Sequence, residues 1–111
     1  MIDQALHAIS EPRRREILQR LIHEKELSAG EIASLFDVTR PAISQHLRVL
    51  AEAGLVTVRK DGTRRFYRPR PEGIKELKSF LEEFWQDKLG ALAEAAEYEE
   101  RRYKDIEPEN N

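Results

Sequence analysis

The chain is 111 residues long, with 40% apolar and 36% charged residues, which suits one folded domain with a modest core and a charged exterior and argues against wholesale disorder. It contains no cysteine, so disulfides, thiolate metal sites, cysteine nucleophiles and thiol redox sensing are excluded. The formal net charge of -2 conceals a sorting of charge: residues 39–70 hold eight Lys and Arg against two acidic residues, while the stretches on either side are net acidic. Such a block is the footprint of a polyanion-binding surface, since affinity for phosphate follows local charge.

Met1 to Gln4 carries no basic stretch followed by an apolar run, and no apolar run approaches the ~18 residues of a membrane span, so a cytoplasmic protein without membrane contact is expected. Leu6 and Ile9 mark a short first helix. Ser10, a good capping residue, and Pro12 announce a second helix reaching about His23, with Ile17, Leu18, Leu21 and Ile22 as its apolar face. Ser28 and Glu31 have the spacing of a capping box. The helix they open is expected to turn Ile32, Leu35 and Phe36 inward.

Asp37 and Val38 make a tight turn before Thr39, the cap of the next helix, whose first turn tolerates Pro41. Ile43, Leu47 and Leu50 form its buried stripe, and Gly54 suits the left-handed conformation that ends helices. Two runs rich in β-formers, Val56 to Lys60 and Arg65 to Arg68, flank Asp61-Gly62-Thr63-Arg64 and read as a β-hairpin. From Pro71 the helical pattern resumes and continues as one helix to about Lys104. Residues 1–105 are therefore expected to form the folded domain, with dimerisation helices at its ends, and residues 106–111 a disordered tail.

Two short helices joined by a tight turn and followed by a basic hairpin predict a mainly α fold with a small β-hairpin wing, an α+β winged helix-turn-helix whose second helix of the pair enters the major groove. The helix from about Thr39 to Ala53 is then the reader. Thr39, Arg40, Ser44, Gln45, His46 and Arg48 are its candidate DNA-binding residues, Arg suiting guanine and Gln adenine. Arg59, Lys60, Thr63, Arg64 and Arg65 make the candidate wing contacts to flanking backbone or minor groove. The last helix carries more apolar surface than one small domain easily covers, so Leu77, Leu81, Phe84, Trp85, Leu89 and Leu92, joined by Leu6 and Ile9, are assigned to a two-fold homodimer interface.

Ser10 to Leu18, Arg40-Pro41-Ala42-Ile43-Ser44-Gln45-His46-Leu47-Arg48-Val49-Leu50 and Ala53-Gly54-Leu55-Val56 resemble the ArsR family of bacterial regulators over about residues 3 to 90. The resemblance implies a homodimeric winged helix repressor that binds double-stranded DNA at an inverted-repeat operator and releases it when a small-molecule inducer binds. The chain departs from the family's metal sensors at both places where they resemble one another. Glu31, Ile32, Ala33 and Ser34 stand where cysteines are expected, and no histidine follows His46, so the paired ligands of the last helix are missing. No metal site and no cofactor are assigned.

Rival readings have their own signatures. A winged helix protein-interaction module without specific DNA binding would show no salt-dependent affinity for DNA. A small enzyme would need convergent titratable groups, and neither a nucleophile arrangement nor a Gly-rich phosphate loop is seen. RNA binding is disfavoured because Phe66 and Tyr67 alternate along a hairpin instead of forming a stacking platform.

Overall fold

The computed structural model describes residues 2–106, with side chains as far as residue 102. The chain divides into two compact units, Met1–Leu77 and Lys78–Asn111. The tail expected over 106–111 lies, from residue 107 onward, outside the described residues.

In the first unit, α1 (Ile2–Ile9) buries Ala5 and Ala8, small residues that let its backbone approach its neighbours. Ser10 does not cap the second helix. Its Oγ donates to the His7 carbonyl at 2.6 Å, closing α1, and Glu11 caps α2 (Pro12–Glu24) by accepting from the Arg14 amide at 3.0 Å. Pro12 explains the shift: fixed as the first helical residue, it makes residue 11 the cap. α2 buries Ile17, Leu18 and Leu21, while Ile22, a quarter-turn round from Leu21, stays 50% exposed. The helix ends at Lys25, whose φ of 77° puts a side-chain-bearing residue in the strained positive region as its amide donates to the Leu21 carbonyl.

A strand that the sequence reading omits, β1 (Leu27–Ser28), follows at once. Ser28 then caps α3 (Ala29–Leu35) in the expected reciprocal manner: the Glu31 amide donates to Ser28 Oγ at 3.1 Å, and the Ser28 amide to Glu31 Oε1 at 2.7 Å. Ile32 is buried, but Leu35, at the last position of a seven-residue helix, is 43% exposed instead of turned inward. Phe36 is half-buried under the Arg13 guanidinium, 5.1 Å from its ring centre.

Thr39 caps α4 (Arg40–Glu52) by accepting from the Ala42 amide. Ile43, Leu47 and Leu50 are fully buried, and at about 1.5–3 kcal/mol each they fix the rotation of the helix about its axis. Gly54 leaves the helix at φ 76°, and β2 (Val56–Asp61) and β3 (Arg64–Pro69) follow. The hairpin loop is shorter than the sequence suggests. Asp61 and Arg64 are paired, leaving Gly62-Thr63 as a two-residue turn with positive φ at Gly62, the pattern of a type II′ connection. β1 pairs with β3, giving a three-stranded antiparallel sheet of order β1-β3-β2.

The first turns of α5 (Pro71–Phe84) close this unit: Gly73 lies so near the Gly54 carbonyl that no β-carbon fits, and Leu77 joins the core with Leu55, Val56 and Tyr67. The fold is thus mainly α with a small wing, a winged helix-turn-helix. In the second unit α5 continues to Phe84, with Phe80 and Phe84 stacked at 6.0 Å. The expected uninterrupted helix instead widens into a π-helical turn over Trp85–Leu89, where the Gly90 amide reaches back to the Trp85 carbonyl, before α6 (Gly90–Ile106).

Candidate nucleic-acid interface

Because the buried stripe of α4 faces the core, positions 40, 44, 45 and 48 share the opposite face. Arg40, Ser44, Gln45 and Arg48 are all exposed and line a groove of about 1230 Å³. One wall is α4, the other is the hairpin through Val58, Thr63, Arg64, Arg65 and Tyr67, and the start of α3 contributes Ser28 to Glu31. The groove is open to solvent and edged by four guanidinium groups, those of Arg40, Arg48, Arg64 and Arg65. Of these, Arg48 makes an exposed pair with Glu52 at 3.7 Å, an interaction that a phosphate readily replaces.

The remaining predicted contacts sort by what already holds them. Thr39 is exposed and serves as the helix cap. His46 points toward α2 instead of the groove: it is half-buried, with Nδ1 3.5 Å from Arg14 Nη1 and 3.9 Å from Glu11 Oε2. Arg14 in turn donates to the Ala8 carbonyl at 2.6 Å, so one side chain ties α1, α2 and α4 together. On the wing, Lys60 is exposed and forms no ion pair among the described residues, while the Arg64 guanidinium lies 4.8 Å from the Phe66 ring centre. Arg59 is the most constrained, forked onto Glu26 with Nε to Oε2 at 3.0 Å and Nη2 to Oε1 at 3.2 Å, and stacked 4.5 Å from the Phe66 ring centre.

These contacts set the protonation of the groove's edge. The Arg59 hydrogen bond holds the Glu26 carboxyl below the usual carboxylate range, and the same bond raises Arg59. Glu31 is also lowered, first by the Ser28 amide and then by its hydroxyl. Both carboxylates are therefore charged at neutral pH. Glu26 was not singled out in the sequence, where it is one acidic residue among several; its partner becomes evident only when β1 pairs with β3. Among the described residues no cluster of His, Asp and Glu is arranged to hold a metal ion, and no helix is long and apolar enough to cross a membrane.

Of the residues assigned to dimerisation, Leu6 and Ile9 are half-buried and Leu77 is in the core of the first unit. In the second unit Leu89 is half-buried, while Leu81, Phe84, Trp85 and Leu92 are exposed, Trp85 at 61%.

Comparison with known proteins places this geometry. A helix-turn-helix domain model matches residues 9–59, the span from the last residue of α1 into β2. The chain is 42% identical to the HTH-type transcriptional regulator Rv2034 of Mycobacterium tuberculosis over 87% of its own length and 90% of that protein. It is 35% identical to the transcriptional repressor SdpR of Bacillus subtilis over 60% of this chain and 72% of the relative. Among solved structures, an ArsR-like transcriptional regulator from Rhodococcus sp. RHA1 superposes with a TM-score of 0.66 at 31% identity, covering 86% of this chain and 92% of the other.

Proposed function

The chain belongs to the ArsR family of winged helix-turn-helix transcriptional regulators and is a DNA-binding protein, not an enzyme; from that premise we propose that it is a cytoplasmic, homodimeric repressor of an inverted-repeat operator. The observation that carries this reading is the groove, with Arg40, Ser44, Gln45 and Arg48 on one wall and Thr63, Arg64 and Arg65 on the other. Arg40 offers paired donors and Gln45 a donor with an acceptor to base edges, Ser44 and Arg48 secure α4 against the backbone, and the wing tip with Lys60 holds the flanking phosphates.

A two-fold dimer presenting two such helices about one DNA turn apart, ~34 Å, matches an inverted repeat. The exposed apolar line of Leu81, Phe84, Trp85 and Leu92 supports the pairing, because four large apolar side chains along one short stretch exceed what a solvated helix needs. Occupying a promoter excludes polymerase, consistent with a relative named as a repressor. Release is by a small-molecule inducer, and without cysteine that inducer is not a thiolate-bound metal.

A fluorescence titration against the chain's own upstream promoter duplex and a scrambled duplex, at several salt concentrations, tests the reading. Tight, salt-sensitive binding confined to the promoter is expected; weak and equal binding to both duplexes would replace it with a protein-interaction role for the same fold.

A further inference from the structure

The cations of the hairpin fall into two sets. Strand alternation and the Lys60↔Arg65 pair place these two residues on the sheet face of Val58 and Tyr67, which line the groove; the Arg59↔Phe66 pair, Arg68 and Arg64 occupy the opposite face, Arg64 at the hairpin tip, where it also borders the groove. On that opposite face stands Glu26. It immediately precedes β1, whose Leu27 is paired with Tyr67, so its backbone is pinned beside Arg68. Its carboxylate accepts both nitrogens of the Arg59 fork and lies 3.6 Å from Arg68 Nε.

A carboxylate and a phosphate present the same pair of oxygens to a guanidinium, so the two compete for the same fork. The competition is uneven here. The Glu26 side chain is 24% exposed against 53% for Arg59 and 62% for Arg68, so the acceptor is fixed by packing while the donors reach solvent. Arg59 is further held over the Phe66 ring.

We propose that Glu26 is a specificity-setting residue of the DNA interface: by occupying Arg59 and Arg68 it withholds the base of the wing's rear face from phosphate and restricts the wing's contacts to Lys60, Arg65 and the tip residue Arg64. Since phosphate contacts are blind to sequence, two fewer of them weaken binding to arbitrary DNA, where the protein is free to seek charge, more than binding to the operator, where α4 fixes the register. The inference rests on the wing contacting phosphate as described above.

The test uses the full-length chain and the two duplexes already named, titrated between about 50 and 500 mM salt. Glu26→Gln, which keeps the shape and removes the charge, should steepen the salt dependence by ~0.9 log units per decade for each arginine released, a gain on the scrambled duplex at the low-salt end of about tenfold for one arginine and roughly 60-fold for both, and should narrow the ratio of promoter to scrambled affinity. Combining Arg59→Gln with Glu26→Gln should remove about half of the gain, and adding Arg68→Gln should remove the rest. Glu24→Gln, which unpairs Arg20 on α2, reports the effect of losing any nearby negative charge and should fall well short.

An unchanged salt slope in Glu26→Gln, or an equal gain from Glu24→Gln, overturns the proposal. Should Glu26→Gln fail to fold, Arg59→Gln with Arg68→Gln decides: an unaltered slope supports the proposal, and a loss as large as that of Lys60→Gln overturns it. An unaltered protein that binds neither duplex overturns the DNA reading itself; one that binds the promoter while Glu26→Gln behaves identically overturns this inference alone.

Discussion

Gln45 and Arg64 stand on opposite walls of the groove and should fail in different ways. In the proposed roles, Gln45→Ala removes a two-pronged partner for one base edge, so promoter affinity should drop by about 1–3 kcal/mol while affinity for scrambled DNA holds. Arg64→Ala removes the proposed phosphate partner, so binding to every duplex should weaken and the salt slope should fall by about one. Titrating both variants on both duplexes separates the two roles, and equal losses for Gln45→Ala would remove it from base reading. Gly73 is constrained sterically: a β-carbon there would strike the Gly54 carbonyl, a backbone atom that no rotamer change can move aside. Gly73→Ala should therefore force the start of α5 away from the turn after α4, at about 1–3 kcal/mol, read as a fall of several degrees in the thermal midpoint.

At the scale of single elements, α3 is a seven-residue helix, too short to persist without help. Ser28→Ala takes the acceptor from the Glu31 amide and should cost about 1 kcal/mol in a denaturant or thermal melt. The same box gives a pH dependence. Glu31 and Glu26 are lowered from an ordinary carboxyl value of 4.5, so each contributes stability that is complete above that value and is lost as pH falls through its lower folded value. Melts taken from pH 6 downward should thus stay level to about pH 5 and then decline, with Ser28→Ala showing the shallower decline; a stability indifferent to acid would remove both contacts.

Local chemistry made most of this scaffold legible from the sequence. The capping box at Ser28, the cap at Thr39, the stripe Ile43, Leu47, Leu50 and the break at Gly54 are signals contained within one helix or turn, and each stands in the structure where it was expected. What escaped depends on partners distant in sequence. β1 has two residues and no pattern of its own until β3 lies alongside it. His46 occupies a helix flank that faces α2, a direction that periodicity alone does not give. Leu35 and Ile22 have the right type and spacing for a core, but the helices end or turn before anything covers them. The same limit applies to the groove: its α4 wall followed from the buried stripe, while the anchoring of Arg59 by Glu26 followed from nothing local.

At the scale of the molecule, the exposed residues Leu81, Phe84, Trp85 and Leu92 carry the homodimer reading. Trp85→Glu with Leu92→Glu should yield a monomer in sedimentation at micromolar concentration and should lose affinity for an inverted repeat far more than for a single half-site; an unchanged sedimentation coefficient would place the interface elsewhere. The pairing of Leu27 with Tyr67 has a further consequence, for how the first unit is assembled. It closes a loop of about 40 residues, which by loop entropy costs roughly 2 kcal/mol more than the hairpin's own four-residue closure. The caps of α3 and α4 and the Gly62 turn need only neighbours a few residues away and form without waiting for it. A refolding chain is therefore expected to acquire its helices and hairpin first and to lock β1 last, so the amides of the β1–β3 seam should be the slowest in the unit to gain protection, and a newly made chain should have α4 before its wing is fastened down.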